Sequence, residues 1–225
     1  MISKNSFLRA ALLVALFGAS SAAAFAQSYK VESAAVPVPD SVAAPIRAVL
    51  SGTALQVSTA SGPLCEIWLR SPLPAAAAPS SALGVLYPQL AEGSLVGVVR
   101  FDSKGSDYRE QTVLPGVYTL RYALQPVDGD HQGVSPYRDF VLLSPVALDT
   151  SLADVPDADL YKMSRKASGT GHPSVWSLLP SDGAPAALPG IIHQEDVDQW
   201  VVFFQAPLAK PVTMGLVVVG HAPET

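Results

Sequence analysis

The side chains best suited to chemistry crowd into one stretch, residues 126–139. It holds Asp128, Asp130, His131 and Ser135, with Arg138 and Asp139 at its exit. A loop of about a dozen residues exceeds ordinary hairpin length, and long loops with convergent polar groups are frequent sites of function. Three readings compete. As scaffold, Asp128-Gly129 makes a turn, while Asp130, Arg138 and Asp139 pair to tie the loop down. As a site for a divalent metal, His131 and an Asp supply two ligands, and His172 or another distant side chain completes the set. As a serine hydrolase, Ser135 is the nucleophile, His131 or His172 its base and an Asp the orienting group. Ser135 sits in GVSPY, with neither a G-x-S-x-G elbow nor an S-x-x-K pair around it.

The remaining polar residues give weaker signals. His172 lies in GTGHP, between a glycine and a proline, and belongs on a loop. His193 and His221 stand near strand ends and read as surface or satisfied histidines. No H-E-x-x-H, C-x-x-C or EF-hand spacing occurs. The acids Asp149, Asp154, Asp157 and Asp159 match no calcium loop, and Asp157 reads as a helix cap. Glu195, Asp196 and Asp198 read as a solvated turn. Cys65, in LCEIWL, reads as a buried and inert thiol. Glu66, Arg100 and Arg121 are more unusual, because each interrupts an apolar run. A charge there needs a partner once buried. The expectation is that Glu66 or Asp139 pairs with Arg121 or Arg138 across a sheet.

The elements that must hold these groups are mostly strands. Around the loop, Tyr118, Leu120, Tyr122 and Leu124 alternate with Thr119, Arg121 and Ala123, the clearest period-2 pattern in the chain. Residues 140–143 are the expected antiparallel partner of 117–124. Residues 54–59 and 64–70, joined by ASGP, read as a hairpin. Residues 95–101 (LVGVVRF) are apolar on both faces, as in a strand covered on both sides. Further strands are expected at 174–179, 200–205 and 212–219. Helices are expected within 41–50, with Asp40 as cap, and within 149–167. Residues 71–82 are a Pro/Ala-rich surface loop. About eight strands without βαβ alternation predict an all-β, antiparallel β-sandwich in the immunoglobulin-like or jelly-roll range, with one or two short helices.

The segment PGVYTL (115–120) resembles the PGxYxL strand entry of carboxypeptidase-regulatory-like and transthyretin-like β-sandwich modules. The longer pattern PGVYTLRY followed by GDHQGVSPYRDF resembles a group of exported bacterial proteins of unknown function. That resemblance implies an extracytoplasmic location and no particular activity.

Export is also the reading of residues 1–26. Lys4 and Arg9 precede an apolar run, 10–18, too short to span a bilayer, and Ala24-Phe25-Ala26 forms an A-x-A cleavage site. Removing this signal peptide takes away two basic residues and no acid. It leaves 199 residues with 12 basic and 19 acidic side chains, a net charge of −7. Such a balance disfavours nucleic acid or an anionic membrane surface as partner. With 49% hydrophobic and 15% charged residues the chain is rich in core. A single cysteine allows no internal disulfide, so packing must carry the fold in an oxidising compartment.

The expected organisation is a signal peptide (1–26), an N-terminal arm with a possible short helix (27–50) and one β-sandwich domain (51–225). The mature protein is expected in the periplasm or the medium, with no membrane span after cleavage. Its expected role is to bind a ligand or a protein partner through Asp128, Asp130, His131, Arg138, Asp139 and His172. The alternative is a divalent-metal site around His131 and His172, and a third is a hydrolase using Ser135.

Overall fold

The period-2 pattern around Tyr118 becomes the longest strand of the molecule, Gly116–Leu124. It pairs in antiparallel register with Asp139–Pro145, setting Leu124 opposite Asp139, Tyr122 opposite Val141 and Leu120 opposite Leu143. The computed structural model describes residues 28–131 and 135–222, so the expected signal peptide lies outside the described residues. In chain order the elements are β1 (Lys30–Ala34), α1 (Ala44–Arg47), β2 (Ala54–Thr59), β3 (Gly62–Leu69) and β4 (Leu95–Phe101). They continue with β5 (Gly105–Ser106), β6 (Thr112–Val113), β7 (Gly116–Leu124), β8 (Asp139–Pro145) and α2 (Asp157–Ser168). The chain finishes with β9 (Val175–Leu179), β10 (Gly190–Gln194), β11 (Gln199–Ala206) and β12 (Val212–Val219).

The class is all-β and antiparallel, as expected. Ten strands form one sheet in the order β1-β2-β3-β4-β7-β8-β9-β12-β11-β10, and β5 and β6 make a separate ribbon. The strands from β1 to β9 form a meander, whereas β10, β11 and β12 fold back so that β12 lies beside β9. That order is a Greek key. The sheet rolls until it is nearly barrel-shaped. Its edge strands β1 and β10 lie beside each other, and the Tyr29 ring reaches Trp200 at 5.1 Å, edge to face.

Rolling gives the sheet an inside and an outside, and both are apolar. Inside, one cluster joins Ile67, Val99, Leu120, Tyr122, Leu143, Trp176, Phe204 and Leu216, which come from seven different strands. Outside, Trp68, Leu95 and Val98 are covered by Val42 and Ile46 at α1, while Phe140, Leu142 and Phe203 are covered by Leu160 of α2. The two-sided covering of 95–101 expected from its composition is therefore real.

Four local expectations are corrected. The N-terminal arm contains a strand, β1, paired with β2 from Lys30–Ser58 to Ala34–Ala54. The first helix is a single turn with Pro45 in its first positions; Asp40 does not cap it and instead binds Arg47 at 2.7 Å. Pro156, not Asp157, is the cap residue of α2, and Asp157 is its first residue. The segment Gly190–Gln194, for which no strand was expected, is the edge strand β10.

The buried charges do not pair as expected either. Glu66 sits opposite Arg100 in the β3–β4 ladder, and its carboxylate accepts Arg100 Nε at 2.7 Å and Nη2 at 2.9 Å. Arg121 is fully buried and pairs with Asp149, whose carboxylate oxygens accept its Nε and Nη2 at 2.6 and 2.7 Å. Its other N–H groups donate to the carbonyls of Gly93, Ser151 and Ala153 at 2.6, 2.5 and 2.9 Å. All five donors of the guanidinium are thus used, which is what a buried arginine requires. Gly93 has a φ of +79° and a Cβ there would meet the Val155 carbonyl oxygen at 2.0 Å, so only glycine fits under this loop. The choice of partner depended on where residues 149–155 cross the back of β7, which strand patterning does not encode.

Candidate functional site

The long loop of the β7–β8 hairpin is tied down before it can present anything. The Gln125 N–H donates to the Arg138 carbonyl at 2.7 Å, extending the ladder by one step. Gln125 Nε2 donates to the His131 carbonyl at 2.9 Å. Within the loop, Gly129–His131 form a 3-10 turn. Asp128 Oδ1 accepts from the Asp130 N–H at 3.1 Å and lies 2.6 Å from His131 Nδ1. The imidazole N–H holds the Asp128 carboxyl below its ordinary range. Asp128 thus orients His131.

A second loop meets the first. Asp107, fully buried, accepts the N–H groups of Arg109 and Gln111 at 2.9 Å each and Gln111 Nε2 at 2.7 Å. Gln111 Nε2 also reaches the Pro173 carbonyl at 3.2 Å, and the Tyr108 N–H donates to Val175 O at 2.8 Å. This turn, centred on Asp107, is clasped onto the segment after α2, which fixes His172. His172 Nδ1 lies 2.8 Å from the Pro173 carbonyl oxygen.

Between these loops and α2 lies a cavity of about 410 Å³. Its floor is apolar and comes from the outer face of the hairpin, Ala123, Phe140 and Leu142, with Val175 of β9. Its polar lining is Asp130 and His131 from the long loop, Arg109 from the Asp107 turn, Tyr161 and Arg165 from α2, and His172 from the loop beyond. Tyr161 and Arg165 are four residues apart and so share a face of the helix. The His131 and His172 rings stand 6.4 Å apart between centroids. Burial lowers the pKa of His172, and the positive charges of Arg109 and His131 lower it further, against the opposing pull of the Pro173 carbonyl and Asp107.

The expected site residues therefore divide. Asp130, His131 and His172 come together in the cavity, with Asp128 behind His131. Arg138 and Asp139 go elsewhere. Asp139 is fully buried and accepts the N–H groups of Leu86 and Tyr87 at 2.8 and 3.0 Å and the Tyr122 hydroxyl at 2.6 Å. Arg138 donates to the carbonyls of Gln125 and Leu83 at 3.0 and 3.2 Å. These two fasten the long segment between β3 and β4 to the hairpin, and among the described residues Asp130, Arg138 and Asp139 do not pair with one another as the scaffold reading expected. Ser135 Oγ accepts the Tyr137 N–H at 3.3 Å and lies outside the cavity lining. The arrangement a serine nucleophile needs, a hydroxyl bonded to an imidazole, is not made by Ser135 among the described residues.

For a metal, the two imidazoles supply two ligands at most. Among the described residues no three His, Cys, Asp or Glu side chains gather closely enough to hold an ion. The sequence reading missed Arg109, Arg165, Tyr161 and Tyr108. The four-residue spacing of Tyr161 and Arg165 on a helix was available as a signal; nothing in the sequence marked Arg109.

No protein-family model, no curated protein and no solved structure matches the chain. Among the described residues no helix is long and apolar enough to cross a membrane.

Proposed function

We propose that the protein is an exported binding module that holds a small ligand, without catalysis, in the cavity between the β7–β8 hairpin and α2. The observation that carries the reading is the cavity itself. It has an apolar floor and a rim of polar groups from four separate segments, the usual composition of a small-molecule site. Its size is at the small end of such sites, which range over about 300–1,000 Å³. Export rests on the signal-like residues 1–26 and on the resemblance of the hairpin to exported bacterial proteins. We read the fold as a flattened barrel whose halves pack like a sandwich. The halves meet through β9, which pairs with β12 at only two positions, Leu179–Gly215 and Leu178–Leu216.

A fragment screen followed by amide chemical shifts tests the site. Compounds joining a ring or short chain to one polar group should shift amides of residues 108–109, 130–131 and 171–172 together. A screen in which no compound moves these amides, or in which shifts collect elsewhere, defeats the reading.

A further inference from the structure

The cavity's charge differs in sign from that of the protein around it. Over the whole chain Asp and Glu outnumber Lys and Arg by 19 to 14. In the cavity lining, two arginines and two histidines face a single carboxylate, Asp130. The arginine ion pairs among the described residues belong to Arg47, Arg100 and Arg121. Arg109 and Arg165 are in none of them, and both are exposed enough for their guanidinium groups to turn toward a ligand. They approach from different elements, one from the Asp107 turn and one from α2, so positive groups reach the cavity from two sides. Histidine Nδ1 atoms are already engaged, at Asp128 and at the Pro173 carbonyl, which leaves each Nε2 for a further partner.

We infer that the ligand is a small apolar carboxylate, its anionic end held between Arg109 and Arg165 and its hydrocarbon body against Ala123, Phe140 and Leu142. This rests on the binding role proposed above and adds the ligand's chemical class. Guanidinium groups match carboxylates with paired N–H donors, and an apolar floor rejects a ligand that is charged throughout. The positive setting has a second sign. Burial first, and then Arg109 and His131, oppose protonation of His172, and an anion placed beside it favours the protonated form.

Three shape-matched probes separate charge from shape: phenylacetate, 2-phenylethanol and 2-phenylethylamine, titrated by calorimetry with amide shifts as the map. The expected order is phenylacetate tightest and the amine weakest. Arg109→Gln and Arg165→Gln should each weaken phenylacetate on the order of tenfold, the effect of a charge-assisted hydrogen bond, and weaken 2-phenylethanol much less. Asp130→Asn, which removes the one lining carboxylate, should bind phenylacetate more tightly. An amine that binds as well as the acid, a double arginine variant with undiminished affinity for phenylacetate, or a loss on Asp130→Asn overturns the inference. If 2-phenylethanol still maps to the cavity in those cases, the binding role survives and only the ligand class fails. If none of the three probes moves the cavity amides, the inference falls, and the wider fragment screen decides the role.

Discussion

Replacing Asp149 with Asn removes one charge and changes almost no volume, so its cost measures the buried ion pair directly. Arg121 and Asp149 are 0% and 2% exposed. In the variant the guanidinium keeps its three carbonyl partners, Gly93, Ser151 and Ala153, but no anion balances it. The new amide group must also face guanidinium N–H donors with a donor of its own. Breaking one side of a buried pair costs about 3–5 kcal/mol, a large share of the ~5–15 kcal/mol that holds a domain folded. For a chain of this size that is a fall in Tm of about 6–20 °C. Urea unfolding followed by the fluorescence of the three tryptophans gives the loss at constant m. The effect should reach the cavity, because residues 149–155 lead directly into α2, which carries Tyr161 and Arg165. The Arg121→Met, Asp149→Leu double variant should be destabilised far less than the sum of its singles, although three carbonyls lose a donor. A loss below about 1 kcal/mol for Asp149→Asn, or a coupling below about 0.5 kcal/mol in the cycle, refutes this account.

Two further expectations concern acid and thiol reactivity. Because burial and neighbouring cations lower the folded-state pKa of His172 below its ordinary value of 6.5, the unfolded chain binds its proton first. Its contribution to stability is therefore present above about pH 6.5 and lost as pH falls toward the lowered value. Wild type should lose stability across that window more steeply than His172→Gln; equal slopes by urea titration at pH 7 and pH 5 contradict the assignment. Cys65 is 1% exposed, and burial with the adjacent Glu66 carboxylate pushes its thiol well above the ordinary range. A thiol reagent at neutral pH should leave the native protein unlabelled and react fully in denaturant. Rapid labelling of the native protein contradicts the packing of β3.

By itself the sequence determined the elements whose signals are local. Period-2 alternation set the faces of 117–124, two-sided apolarity marked 95–101 as covered on both faces, and turn chemistry joined 54–59 to 64–70. It also named the loop that reaches the cavity, through Asp128, Asp130 and His131. It could not determine β1 and β10, because both lie at sheet edges with few fully buried residues and so carry little alternation. Nor could it separate Asp130 and His131, which face the cavity, from Arg138 and Asp139, which are spent on the Leu83–Tyr87 backbone. Only the tertiary structure decided that Arg121 pairs with Asp149 rather than with a strand neighbour, and that Arg109 and Arg165 share a cavity with His131 and His172. Those partners lie far apart along the chain, and a charge's partner is fixed by which segments the rolled sheet brings across its faces. That is a property of packing, which residue spacing along one strand or one helix does not record.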